Sequence, residues 1–121
     1  MNRLGAFAEQ VAVLCLAKDG YRVVLQNYHS RYGEIDIIAV RGDVLVFAEV
    51  KARSPKACYS PLEAVTPAKM KKITATALCY LQQNPCDLQP RFDVIELVVV
   101  DKDCPQVLSY NHIVGAFDAV Y

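Results

Sequence analysis

Asp36, Glu49 and Lys51 are the side chains in this sequence whose types and spacing best suit chemistry. They flank Gly42-Asp43, a pair suited to a two-residue hairpin loop because Gly accepts the positive φ that such a turn demands. A loop of those two residues sets Arg41 opposite Val44, Asp36 opposite Glu49 and Glu34 opposite Lys51. Period-two alternation then collects Glu34, Asp36, Ile38 and Val40 on one face with Leu45, Phe47, Glu49 and Lys51. Two carboxylates directly opposed across a ladder, their Cβ atoms about 5 Å apart, destabilise a sheet. Two kinds of compensation are open. A hard divalent cation such as Mg²⁺ takes one or two carboxylates together with water and phosphate oxygens. Lys51 would then orient a water or steady the charge developing on a phosphate. Alternatively, Lys51 neutralises both carboxylates in a partly exposed salt-bridge cluster. A bulge in either strand would shift the register by one and dissolve the pairing altogether.

The elements that must position these residues read as α-β-β-β-α-β-β. Phe7, Val11 and Leu14, with Ala8, Ala12 and Cys15 beside them, follow a helical period that Gly20 ends. Residues 21–26 are strand-like, residues 27–33 polar and turn-forming, and residues 34–41 and 44–51 form the hairpin. Residues 54–67 hold three prolines and read as a loop, with room for a short helical turn near Leu62. Thr66-Pro67 then starts a second helix, a hydroxyl cap followed by Pro at the first helical position. Met70, Ile73, Ala77, Tyr80 and Leu81 mark its apolar face, and Asn84-Pro85 stops it. Residues 91–100 are the longest strand candidate. A turn over residues 101–105 leads to a short last strand at 107–110. One α/β domain with a mixed sheet flanked by helices follows.

Composition narrows the class. The chain has 121 residues, 54% of them hydrophobic and 21% charged, which is globular and sufficient for one core without disulfides. No apolar run approaches the ~18 residues of a membrane span, and Glu9 interrupts the place where a signal peptide would be apolar. Cys15, Cys58, Cys79, Cys86 and Cys104 include no Cys-x-x-Cys pair, and His29 and His112 lack the companions of a zinc site. Cys15 and Cys79 fall on expected helix faces as small hydrophobes. A reducing cytoplasm suits this usage. Neither a nucleophilic triad nor a phosphate-cradling glycine loop is present. Basic and acidic residues cancel overall, yet residues 51–72 hold Lys51, Arg53, Lys56, Lys69, Lys71 and Lys72 against Glu63 alone. Such a stretch binds an anion locally without making the whole chain a polyanion coat; a solvated helix end and loop is the alternative.

Three runs in order carry a more specific signal: Gly33-Glu34-Ile35-Asp36-Ile37-Ile38-Ala39, Val46-Phe47-Ala48-Glu49-Val50-Lys51-Ala52-Arg53 and Arg91-Phe92-Asp93-Val94. Together they resemble the YraN family, and Asp36 followed by Glu49-Val50-Lys51 resembles the PD-(D/E)xK nuclease core, with Ile35-Asp36 in the place of Pro-Asp. The similarity runs from about Gly5 to Asp118. It implies a restriction-endonuclease-like core, similar to archaeal Holliday-junction resolvases, with Asp36 and Glu49 as ligands of Mg²⁺ or Mn²⁺ and Lys51 as the catalytic lysine. It also implies Glu9, from the first helix, as a further catalytic and metal-binding carboxylate; the family has Gly just before it, where this chain has Ala8. Glu34 matches the family pattern as a supporting residue, with pairing to Lys51 or Arg53 as its structural alternative.

The basic stretch then has a use. Arg53, Lys69, Lys71 and Lys72 are candidate phosphate contacts, which position a nucleic acid without reading its sequence. The helix opened by Thr66-Pro67 adds free N–H groups. Arg91 and Asp93 are either a structural pair or part of the site. The leading expectation is a Mg²⁺- or Mn²⁺-dependent endonuclease on DNA, with branched or junction DNA as a candidate substrate and a homodimer like that of the resolvases. A nucleic-acid-binding module of the same fold with little or no cleavage is the alternative. A scaffold in which the acidic pair is a salt-bridge relic is the third.

Overall fold

In the computed structural model, described here for residues 3–56, 65–100 and 103–121, the elements are α1 (Arg3–Lys18), β1 (Arg22–Ser30), β2 (Gly33–Arg41), β3 (Val44–Arg53), α2 (Pro67–Gln83), β4 (Gln89–Val100) and β5 (Gln106–Phe117). Their order is the one the sequence predicts. Leu62, Cys58 and the first part of the expected turn before β5 lie outside the described residues. The strands form one sheet in chain order, β1-β2-β3-β4-β5. Only β3 and β4 run parallel, joined by the crossover that contains α2; the other neighbours are antiparallel.

The helices cover opposite faces. Under α1, Ala8, Ala12 and Leu16 pack with Ile37, Ala39, Val46, Ala48, Ile95 and Leu97. Under α2, Ile73, Ala77 and Tyr80 pack with Ile35, Ile38, Leu45, Phe47, Phe92 and Val94. Of the expected α1 face, Ala8 and Ala12 are buried and Phe7 and Val11 pack at its margin, while Leu14 is 67% exposed and Leu16 takes the buried place. Cys15 and Cys79 are half-buried free thiols. Helix α2 begins as its cap predicts: Thr66 Oγ1 accepts from the Lys69 N–H at 3.3 Å, with Pro67 at the first position. It ends at Asn84, whose N–H donates to the Tyr80 carbonyl at 2.8 Å.

Two strand predictions need correction. The polar run after Gln26 is strand as far as Ser30, because Asn27 takes a left-handed conformation, φ 53°, without leaving the edge of the sheet; Asn is among the few non-glycine residues that do so readily. The last strand is not short. β5 extends to Phe117, its register slipping twice against β4. Among the described residues, no helix is long and apolar enough to cross a membrane.

Candidate functional site

The β2–β3 hairpin folds as the Gly42-Asp43 turn dictates, with Gly42 at φ 59°. Its register runs from Arg41↔Val44 to Ile37↔Ala48. The next step would oppose Asp36 and Glu49, and there the ladder stops. Asp36 Oδ2 instead accepts a hydrogen bond from the Val50 N–H at 2.7 Å. The side chain takes a donor that a strand partner would otherwise satisfy. Alternation breaks at the same place: Ile35 and Ile38 both pack under α2, while Ile37 and Ala39 pack under α1. Strict period-two reading of Glu34 and Asp36 with Glu49 and Lys51 therefore fails at this point.

A cleft of about 440 Å³ opens where the strands part, lined by Gly5, Glu9, Asn27, His29, Glu34, Asp36, Glu49, Val50 and Lys51. Five of the expected site residues, Glu9, Glu34, Asp36, Glu49 and Lys51, thus line one cleft. Glu9 comes from α1 and is 3% exposed, and among the described residues neither carboxylate oxygen has a partner in full hydrogen-bond geometry. Lys51 Nζ lies 3.3 Å from Glu49 Oε1.

Burial and mutual repulsion perturb all three carboxyls. Desolvation raises the Asp36 pKa, opposed by the Val50 N–H and reinforced by Glu34. Glu49 is pushed up to about 7 by burial and then by Asp36, against the pull of Lys51 and Lys69. Glu9 is raised by burial and by Asp36, the nearby Asn27 amide offsetting part of this. Burial works against the Lys51 ammonium, but the carboxylates of Glu49 and Asp36 hold its pKa above the usual value. Lys69 is depressed, first by the charge of Lys51.

Among the described residues, no three His, Cys, Asp or Glu side chains gather closely enough to hold an ion as they stand. The donor chemistry nevertheless fits a hard divalent cation. Asp36, Glu49 and Glu9 offer oxygen only, and the two unpartnered oxygens of a buried Glu9 are costly without a cation or proton.

Glu34 faces neither Lys51 nor Arg53; its Oε2 lies 3.3 Å from His29 Nδ1, its cross-strand neighbour. Arg53 is engaged by Glu96, Nε to Oε2 at 2.8 Å, with its side chain still 21% exposed. Lys69 reaches the site through Lys51, while Lys71 and Lys72 are exposed and do not line the cleft. Arg91 and Asp93 form a separate buried cluster with Tyr21 and His112: Asp93 accepts from Arg91 twice at 2.9 Å, from the Gly115 N–H at 3.0 Å, and lies 2.6 Å from His112 Nε2. Sequence reasoning missed Asn27, His29 and Glu96. Asn27, at the head of the polar run, carries the available signal, since Asn tolerates left-handed φ.

The model of the uncharacterised protein family UPF0102 matches residues 8–97. A UPF0102 protein of Syntrophomonas wolfei is 40% identical over 119 residues, covering 97% of this chain and 100% of its own length. One from Alkaliphilus oremlandii is 42% identical over 119 residues, covering 96% and 98%. One from Acinetobacter baumannii strain AYE is 47% identical over 96 residues, covering 78% and 72%. The span of these matches takes in the cleft, the hairpin and α2, and the chain belongs to the UPF0102 family, the YraN proteins that its motifs resemble.

Proposed function

We propose that this chain is a divalent-metal-dependent endonuclease that hydrolyses phosphodiester bonds in DNA, on a restriction-endonuclease-like core. The observation that carries the reading is that Glu9, Asp36, Glu49 and Lys51 line one cleft, where burial and repulsion raise the first three. Ionisable groups perturbed by burial and by a specific charge partner, sitting together in a cleft, are the physical signature of a candidate site. The arrangement of three antiparallel strands, a helical crossover and a parallel fourth strand agrees with such a core.

Asp36 and Glu49 would hold Mg²⁺ or Mn²⁺, with Glu9 reaching in from α1. When bound, the ion supplies Lewis-acid polarisation of the phosphate and a water made acidic enough to attack near neutral pH. Val50 keeps Asp36 oriented through its N–H. Lys51, held by Glu49, presents its ammonium to the phosphate oxygens as negative charge develops on them. Lys69 adds a second cation from the first turn of α2.

Binding without cleavage is a second reading, favoured by one observation: among the described residues the carboxylates do not stand gathered around a common point. Calorimetric titration of Mn²⁺ into the chain, beside Asp36→Asn and Glu49→Gln, separates the two. Uptake lost in both variants supports the enzyme. Uptake that survives both, or is absent at millimolar Mn²⁺ with a short duplex present, supports the binding module.

A further inference from the structure

The turn between β1 and β2 stands at the rim of the cleft. His29 and Glu34, which line the cleft, are cross-strand partners, and the next pair outward is Ser30↔Gly33. Arg31 and Tyr32 form the tip. The Arg31 guanidinium lies 4.8 Å from the Tyr32 ring centroid and donates to its hydroxyl at 2.6 Å, while Tyr32 remains 41% exposed. The turn that carries this ring is held in place. The Tyr32 N–H donates to Ser30 Oγ at 3.0 Å, and Ser30 Oγ donates to Thr76 Oγ1 of α2 at 3.1 Å.

That tether fixes the tip relative to the basic face of α2. Lys72 lies one turn before Thr76, close beside Gly33: a Cβ built there would be 3.7 Å from the Lys72 Cβ. Lys69 lies one turn earlier and reaches Lys51. By position, Lys51, Lys69, Lys72 and Arg31 thus follow one another from the carboxylates to the turn, and we read them as a row. Lysines three apart on a helix are neighbours, about 5–6 Å between Cβ atoms. Successive cations at such intervals suit the phosphates of one strand, and an aromatic platform suits a base whose face is open. A base inside a duplex has no open face.

Resting on the endonuclease reading above, we infer that this row is a track for an unpaired strand, with Tyr32 stacking a base at its end. The substrate class is then DNA that carries unpaired nucleotides beside a duplex, such as a flap or an open branch, and not plain duplex.

The test is binding in Ca²⁺ of a flapped duplex with 2-aminopurine at its first unpaired positions, against a plain duplex of equal length. The chain is expected to quench the 2-aminopurine and to bind the flap more tightly. Tyr32→Ala abolishes the quench and lowers flap affinity about 5- to 100-fold, leaving duplex affinity, urea midpoint and Mn²⁺ uptake unchanged. Tyr32→Phe retains the quench, and Lys72→Ala lowers the salt slope of flap binding by about 0.7. Equal affinity for flap and duplex, a quench that survives Tyr32→Ala, or no DNA binding at all overturns the track. Mn²⁺ uptake distinguishes the two failures: intact uptake leaves the metal site standing without the track. Lost uptake with a Tyr32-dependent quench supports the track and removes the enzyme.

Discussion

Asp36 Oδ2 and the Val50 amide nitrogen are 2.7 Å apart, and this bond closes the end of the β2–β3 ladder where Asp36 and Glu49 would otherwise face each other. A carboxylate that replaces a backbone acceptor has two duties, one to the fold and one to the cleft. The two are separable by substitution. Asp36→Asn keeps a carbonyl oxygen for Val50 and removes a buried charge beside Glu49, so urea unfolding should show stability unchanged or raised. Asp36→Ala leaves the N–H unsatisfied and should cost about 1–3 kcal/mol. Both variants should lose Mn²⁺ uptake.

Glu49 gives the pH dependence its sign. Its pKa rises from 4.5 unfolded to about 7 folded, so the folded chain binds the proton more tightly than the unfolded one. The metal-free chain therefore holds this contribution fully below pH 4.5 and loses it as pH rises to about 7. Asp36 and Glu9 shift in the same direction. Urea midpoints should fall across that window by the equivalent of about 1–3 kcal/mol, and Glu49→Gln should flatten the curve. Mn²⁺ competes with the proton, so calorimetry should show affinity rising over the same interval.

Arg53 is expected to matter for stability before it matters for nucleic acid. Its partner Glu96 is 6% exposed, and removing the guanidinium strands a buried carboxylate. Arg53→Ala should cost about 1–3 kcal/mol, and much less in a Glu96→Gln background, as a double-mutant cycle in urea would show. Equal losses in both backgrounds would count against the pairing.

Asp93 provides the control for the cleft. It is fully buried, and although burial alone would raise its pKa, His112, Arg91 and the Gly115 N–H bring it below the usual value. Its contribution is present above the unfolded value of 3.8 and lost as pH falls through the lower folded one. Asp93→Asn should cost about 2–4 kcal/mol by unfolding, while Mn²⁺ uptake stays as it is.

Glu9→Gln separates charge from shape in α1. The carboxylate is buried without a hydrogen bond, so its neutral isostere should leave the metal-free chain as stable or more so. Mn²⁺ affinity, read by calorimetry, should fall at least about tenfold if Glu9 reaches the ion, a loss of about 1.4 kcal/mol. Unchanged affinity would remove Glu9 from the ligand set.

Local rules made much of the molecule legible in the sequence. Gly42-Asp43 specifies its own turn, and a turn specifies the register beside it, so the pairs from Arg41↔Val44 to Ile37↔Ala48 follow from short-range geometry. Thr66-Pro67 and Asn84-Pro85 likewise bound α2, because caps and prolines act on their immediate neighbours. The approach of Asp36, Glu49 and Lys51 is a consequence of that hairpin.

Only the tertiary structure decided the rest, since it depends on partners distant in the chain. The ladder ends at Asp36 because a side chain captures the Val50 amide, and alternation cannot show where a strand parts from its neighbour. Glu34 turns to His29 because the register of β1 sets them side by side. Arg53 meets Glu96 because the α2 crossover lays β4 parallel to β3, and nothing within β3 encodes that neighbour. The burial of Glu9 arises from the docking of α1 on the sheet. Sequence determined which charges the hairpin carries; packing decided which of them are neutralised and which are left without a partner, because desolvation and pairing are properties of the assembled fold.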